Sequence, residues 1–290
     1  MVKDVCPLLH PKHASITASR WIMPVAGHSR PVAGFINGHT VALFVSRLIT
    51  WHRSFTRDTA PPPPFDPPSY IYIHEWLADS FPAAHSGWRT FGISSKQAIA
   101  FLEPGQDYHT TWSDHARRHL KIFKKSGARL RLGTIDELKN GAKLSRLSED
   151  VMLHTLEQTE TVQQYYPQNV DILVAEKSDG GEILGFFVAA NCDEVLQSYY
   201  IGGFYTDAGA RAQAMTGLID WWFERSLARG YTNVNFGDMA GPHTPKFDPS
   251  IGYSNFKTHF GVYRVWRPRT LWKIRFKFRN LDDIEPFVSE

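Results

Sequence analysis

Gln197-Ser198-Tyr199-Tyr200-Ile201-Gly202-Gly203-Phe204-Tyr205-Thr206-Asp207-Ala208-Gly209, the helical run Ala210 to Arg229, and Tyr231 to Gly237 together read as strand, turn, long helix and strand. The first segment is aromatic and extended, and its paired glycines let another backbone or a ligand come close. In the run after it, Met215, Leu218, Ile219, Trp222 and Phe223 recur at three- and four-residue spacing. That spacing predicts an amphipathic helix with Asp207 as N-cap and Gly230 as its stop. A polar, aromatic loop is expected next: Asp238 to His243, then Gly252-Tyr253-Ser254-Asn255-Phe256-Lys257-Thr258-His259-Phe260-Gly261.

Working outward, Ala128 to Gly133 predicts a strand and Ser148 to Gln164 a helix. Val170 to Ala175, a turn at Ser178-Asp179-Gly180-Gly181, and Ile183 to Asn191 predict a hairpin. A three-strand antiparallel meander feeding a strand-helix-strand unit requires a mixed, mostly antiparallel α/β sheet flanked by helices. Trp112, Ala116, Leu120 and Phe123 fall on one face of a helix ended by Gly127. Its other face is basic: Arg117, Arg118, Lys121, Lys124 and Lys125, followed by Arg129 and Arg131, are seven cations with no acid among them. Such a face is either solvated or a phosphate-binding surface.

The order of elements and the ending Gly-Tyr-x-x-Phe-Lys-x-x-Phe-Gly resemble the Fem-type aminoacyltransferases and the related GNAT-fold acyltransferases. The resemblance runs over about Trp112 to Trp266, slightly over half of the chain. It implies an N-acyltransferase that moves an acyl or aminoacyl group from acyl-CoA or aminoacyl-tRNA to an amine acceptor, with no tightly bound cofactor. A Trp-x-x-x-x-Arg-Arg helix precedes the core in those relatives, which brings Trp112, Arg117 and Arg118 toward substrate. Ordinary GNAT enzymes hold the pyrophosphate of coenzyme A on an Arg/Gln-x-x-Gly-x-Gly/Ala loop at a helix N-terminus. Thr206-Asp207-Ala208-Gly209-Ala210-Arg211-Ala212 departs from that pattern, so weak binding of acetyl-CoA is expected.

Acyl transfer to an amine needs a proton acceptor and a group that stabilises an oxyanion. The resemblance assigns Lys257, expected in a loop between Phe256 and Phe260, to holding the substrate or the developing negative charge; the alternative is a surface lysine in that loop. Asp238 and His243 follow a strand end, where a base can act, although Asp238 can equally cap a turn. Tyr200, Tyr205 and Tyr253 can donate to a bound carbonyl or simply pack. Catalytic roles are therefore expected for Lys257, Asp238 and Tyr205. Substrate contacts are expected for Tyr200, Arg211, His243, Tyr253, Phe256, His259, Trp112, Arg117 and Arg118. Arg211 at a helix start opposes the dipole, which favours an anionic partner.

The 290 residues suffice for one large domain or two smaller ones. The boundaries expected are an irregular region 1–110 with the proline-rich linker Ala60 to Pro68, a reduced remnant of a second GNAT-like lobe, and an acyltransferase domain 111–290. Within the first, Phe35-Ile36 and Val41 to Val45 flank Asn37-Gly38 as a hairpin. A hydrophobic fraction of 42% with 21% charged residues is that of a globular protein. A net charge of +3 does not imply nucleic-acid binding by itself, and no DNA partner is expected. Cys6 and Cys192 alone exclude a disulfide framework and a multi-cysteine zinc site, and no metal is expected. A reducing, cytoplasmic setting fits, since the start carries no secretory h-region and no apolar run spans a bilayer. From Trp272 to Arg279 apolar and basic residues alternate, predicting a strand with one buried and one basic face. Its charges either guard a half-buried edge strand or, with the basic helix, form a surface for phosphates, whether of RNA such as tRNA, a nucleotide-linked precursor or, peripherally, an anionic membrane. The alternative from another class is a non-catalytic module of the same fold that binds RNA, a phosphorylated ligand or a membrane. No Gly-x-Ser-x-Gly, Walker, His-Glu-x-x-His or Gly-x-Gly-x-x-Gly motif supports another chemistry.

Overall fold

In the computed structural model, the residues described are 35–36, 40–45, 49–56, 71–78, 89–90, 96–142, 149–165, 167–178, 181–193, 196–240, 249–266 and 270–276. Their strands are β1 (Phe35–Ile36), β2 (Thr40–Val45), β3 (Ile49–Thr56), β4 (Ile71–Ala78), β5 (Arg89–Thr90), β6 (Lys96–Phe101), β7 (Arg129–Leu132), β8 (Val170–Glu176), β9 (Ile183–Cys192), β10 (Gln197–Tyr205), β11 (Asn233–Met239), β12 (Tyr263–Trp266) and β13 (Thr270–Phe276). Their α-helices are α1 (Asp114–Lys125), α2 (Ile135–Ala142), α3 (Glu149–Tyr165), α4 (Asp207–Ala212), α5 (Ala214–Ala228) and α6 (Pro249–Lys257).

The chain divides into two units, one of residues 1–93 with 268–290 and one of 94–267; the proline-rich linker expected at 60–68 lies outside the described residues. The first unit holds a sheet in the order β1-β2-β3-β4-β13-β5, with β3 and β4 parallel. The hairpin expected at Asn37-Gly38 is present as antiparallel pairing of Phe35 with Val41 and Ile36 with Thr40. The alternating strand near the C-terminus is also present as β13. It lies inside this sheet, pairing Thr270 through Phe276 with Leu77 through Ile71, and its apolar Ile274 and Phe276 are exposed.

The second unit is a seven-stranded sheet in the order β12-β6-β11-β10-β9-β8-β7. Every neighbouring pair is antiparallel except β10 and β11, which the helical crossover makes parallel. Alternation along β9 sends consecutive phenylalanines to opposite faces. Phe187 packs against Trp222 of α5, the rings tilted with centroids 4.8 Å apart. Phe186 lies on the other face, so close to Gly141 of α2 that a Cβ there would stand 2.2 Å from its ring. Helices α1 and α5 cover the first face; a Cβ on Gly217 of α5 would sit 2.2 Å from the Phe123 ring of α1, so glycine lets these helices approach closely. Trp112, Leu120, Phe123, Phe187, Leu218, Trp222, Phe223, Phe236 and Phe260 form the buried cluster between them.

The long helix expected from Ala210 to Arg229 is interrupted. Thr206, not Asp207, caps α4, its Oγ1 accepting from the Gly209 amide at 3.1 Å. Gln213 then turns left-handed at φ 58° before α5 begins. Gly230, at φ 77°, follows α5 as its expected stop. The Phe256-Lys257 region, expected as a loop, is the C-terminal turn of α6.

Candidate functional site

Two adjacent irregularities open the sheet at its centre. The parallel ladder between β10 and β11 is registered at Gln197/Asn233, Ser198/Val234 and Tyr199/Asn235. Immediately beyond, β10 slips against β9 between Tyr200 and Gly202, leaving Ile201 as the extra residue of a bulge. At the same level β11 slips against β6 between Asn235 and Asp238, where Gly237 takes φ 80°. Strands that stop pairing while both continue must diverge, and a cleft forms between their C-terminal halves.

The closed end is held by a buried polar chain. Trp222 Nε1 donates to Ser198 Oγ at 2.6 Å, Ser198 Oγ to Asn191 Oδ1 at 2.7 Å, and Asn191 Nδ2 to Asp171 Oδ2 at 3.0 Å. Arg229 completes it with bonds of 2.8 and 3.1 Å to the Asp171 carboxylate. A satisfied network fixes one arrangement of strands, so the divergence begins at a defined place.

The bulge also changes which side chains face the cleft. Before it, Tyr200 lies over Phe187, on the α5 face. After it, Gly202 points to the opposite face, where a Cβ would meet Thr155 of α3 at 2.4 Å. Gly203 and Tyr205 therefore fall on the α5 face, and the Met215 side chain lies 3.1 Å from where a Cβ on Gly203 would sit.

The resulting cavity of about 740 Å³ is within the range of small-molecule sites. Its walls come from β10, α4 and α5, from Phe236 of β11, Thr155 of α3 and His115 and His119 of α1, and from Tyr253, Phe256 and Lys257 of α6. Phe187, Ile201, Met215, Ile219 and Phe236 make most of it apolar. Lys257 is its charged group, 1% exposed. Its Nζ donates to the Asp238 carbonyl at 2.5 Å and stands 4.3 Å from the centroid of the Tyr253 ring. A buried ammonium needs such partners, because desolvation without them costs several kcal/mol.

Of the residues expected to act, the structure brings Lys257, Tyr205, Tyr200, Tyr253 and Phe256 to this cavity. Tyr205 stands at the rim, 37% exposed. Asp238 is exposed and is not among the lining residues, and its main-chain carbonyl is what meets Lys257, so the structure does not bring its side chain into the cavity as the expected catalytic role requires. Trp112 is 2% exposed and packs edge-on against Phe223 and Phe260, which makes it a core residue rather than a substrate contact. Arg211 is exposed on α4 outside the cavity, and Arg117 and Arg118 on α1 are outside it too. His259 also stays out of the lining, bonded to Ser113 Oγ at 2.9 Å. His243 lies outside the described residues.

The basic run is partly neutralised. Arg117 pairs with Asp114 at 2.6 Å, Lys124 with Asp220 at 3.5 Å, and Arg131 with Glu137 and Glu176, each at 2.6 Å; Arg129 also bonds Glu176. Among the described residues, Arg118, Lys121 and Lys125 are the cations of that run without an ion pair. The β13 cations belong to the other unit.

Sequence reasoning passed over His115 and His119. Their i, i+4 spacing on α1, next to the stripe Ala116, Leu120 and Phe123, was the available signal. Their rings lie 3.9 Å apart between centroids, and His259 lies 4.6 Å from His115. Burial, then the neighbouring His115, Arg118 and His259 charges, hold His119 below the ordinary histidine value. Burial and then His115 do the same to His259. Among the described residues, no group of three or more His, Cys, Asp or Glu is arranged to hold a metal ion.

Among the described residues, a mixed sheet whose one parallel pair diverges around a strand-helix-strand crossover, flanked by helices on both faces, is the GNAT-type fold that the sequence resembles. FemX superposes with a TM-score of 0.59 at 11% identity, over 94% of this chain and 92% of that one. L-PGS from Bacillus licheniformis gives 0.53 at 15% identity, over 91% and 92%. The C-terminal domain of a putative lysylphosphatidylglycerol synthetase from Agrobacterium fabrum gives 0.52 at 14%, over 90% and 91%. The likeness reaches well beyond the Trp112 to Trp266 stretch that carries it in sequence. No protein-family model and no curated protein sequence matches the chain.

Proposed function

We propose that this protein is an N-acyltransferase, moving an acyl or aminoacyl group from a carrier, an acyl thioester or aminoacyl-tRNA, to an amine acceptor. The observation that carries the reading is the buried Lys257 ammonium in the last turn of α6, lining an apolar cavity opened by the divergence of β10 and β11. A cation in a water-poor site stabilises a developing oxyanion far more than one in solvent. The solved structures of similar fold include FemX and a putative lysylphosphatidylglycerol synthetase domain, and transfer of an acyl or aminoacyl group is in keeping with them.

In this reading the acceptor nitrogen attacks the acyl carbonyl, whose oxygen becomes an oxyanion held by Lys257. The C–S or C–O bond to the carrier then breaks, the leaving group takes a proton, and the amide remains. His119, whose burial and then the nearby His115, Arg118 and His259 charges disfavour the protonated ring, and His115 line the cavity and accept the proton that the nitrogen sheds. Tyr205 and Tyr253 flank the entrance and orient the carbonyl. Arg118, Lys121 and Lys125 offer a phosphate-bearing carrier, tRNA included, a small basic patch. A cytoplasmic location, where such carriers are made, belongs to the same reading.

The test is acyl transfer itself. Acyl thioesters and charged tRNA are incubated with primary amines, and the amide is read by mass spectrometry for wild type and Lys257→Met. Amide formed by the wild type and strongly reduced in the variant supports the reading. Ligand binding without any amide, across both carrier classes, contradicts it and favours the non-catalytic module.

A further inference from the structure

The chemistry of the cavity wall discriminates between the two kinds of group a transferase of this fold can carry. An aminoacyl group brings an α-ammonium into the cavity, and a buried ammonium requires a carboxylate or several carbonyl acceptors. Among the described residues the lining contains no Asp or Glu. The charge it does contain, Lys257, has the same sign as the ammonium, and His115 and His119 become cationic if they are protonated. The depth of the cavity is formed by side chains that are themselves buried and apolar, namely Phe187, Ala214, Ile219 and Phe236. The exposed tyrosines, Tyr205 and Tyr253, lie at the rim.

We infer that the cavity is an acyl-chain pocket: it takes an uncharged, apolar acyl group, with the carbonyl oxygen at Lys257 and the chain running toward Ile219 and Phe236. This rests on the transferase reading of the same cavity and narrows it to apolar acyl donors. A chain in such a pocket is held by removal of its methylenes from water. The cavity volume of about 740 Å³ leaves room for a chain well beyond acetyl. Thr216 and Gln213 supply the remaining polarity on the α5 side, and neither carries a charge.

The experiment measures binding without an acceptor, using N-acetylcysteamine thioesters so that no nucleotide contributes. Acetyl, hexanoyl and decanoyl thioesters are titrated into the full chain by calorimetry. Affinity is expected to rise roughly fourfold per methylene until the pocket is full. A second pair isolates the charge: hydrocinnamoyl and phenylalanyl thioesters differ by the α-ammonium, and hydrocinnamoyl is expected to bind at least about tenfold more tightly at mildly acidic pH. Ala214→Leu, which adds bulk to the buried wall, is expected to shift the preferred chain to shorter length. If that variant does not fold, the wild-type series decides alone. Affinity that is flat with chain length, or tighter binding of phenylalanyl, overturns the inference. Transfer assays on the same thioesters separate it from the reading beneath it. Chain-dependent binding without amide formation upholds the pocket and removes the transferase, whereas transfer of phenylalanyl in preference to hydrocinnamoyl removes the pocket and leaves the transferase.

Discussion

Lys257 Nζ donates to the main-chain carbonyl of Asp238 at 2.5 Å, joining the last turn of α6 to the end of β11 across the open side of the sheet. The acceptor is a backbone atom, so the identity of the side chain at 238 does not enter the bond. Asp238→Asn is therefore expected to change activity by less than about threefold and stability by less than about 0.5 kcal/mol. Steady-state kinetics and a thermal melt check this; a loss of about a hundredfold would return a catalytic role to the carboxylate.

Gly202 is where β10 changes face, and Thr155 of α3 occupies the space a Cβ would need, 2.4 Å from its Cγ2 and 2.5 Å from its Oγ1. Gly202→Ala is expected to cost about 1–3 kcal/mol by overpacking, read as a lower denaturation midpoint. Combining it with Thr155→Ala should recover part of the loss, giving a coupling energy that two independent sites would not show. An unchanged midpoint for Gly202→Ala would mean the bulge is not held by this contact.

Acid should destabilise the protein in two steps. His119 and His259 are held below the ordinary histidine value by burial first, then by neighbouring positive charge. The unfolded chain therefore binds these protons more readily. Their contribution is complete above about pH 6.5 and is lost as pH falls through the lower folded values. Glu137 and Glu176 are held low by bonds to Arg131, and to Arg129 then Arg131, and their contribution is lost only below the ordinary carboxylate range, about pH 4.5. Melting temperatures followed from neutral to acid pH should fall first in the histidine window, and His119→Gln should flatten that first step. A melting temperature that rises on mild acidification would contradict the assignment.

Between Thr206 and Ala212 the chain is a capped helix, with the Gly209 amide already taken by the Thr206 hydroxyl. A loop of successive amides for a pyrophosphate is not formed there, so acetyl-CoA is expected to show no saturable binding at micromolar concentration. Calorimetry giving a low-micromolar Kd would overturn this and assign a nucleotide-binding role to the start of α5.

The strand-helix-strand core was legible because it is written in local periodicity: the aromatic strand, the spacing of Met215 to Phe223 and the stop at Gly230 each sit within a few residues. What escaped was non-local or contrary to propensity. Nothing near Gln213 announces a left-handed residue, since glutamine seldom adopts one. Insertion of β6 between β11 and β12, and of β13 between β4 and β5, joins segments far apart in sequence. Gly252 inside the Tyr253-Phe256-Lys257 run reads as a loop signal, and packing made the run a helix. Trp112 and Arg117 illustrate the opposite error, because a basic, aromatic helix looks like a surface for substrate until tertiary contacts bury the ring and pair the charge. For Lys257, the resemblance pointed to the residue, while its burial and its bond to Asp238 came only from the fold.

The most direct measurement is the separation of kcat from KM in Lys257→Met on a transferred acyl donor. Methionine fills much of the same volume but removes the bond from Nζ to the Asp238 carbonyl, so a stability loss of about 1–3 kcal/mol is expected and assays belong well below the melting temperature. If the ammonium stabilises charge that develops only during transfer, kcat should fall about a hundred- to a thousandfold with KM nearly unchanged. A raised KM with kcat preserved, or wild-type kinetics in a folded variant, would contradict the assignment of Lys257 as the oxyanion-stabilising group.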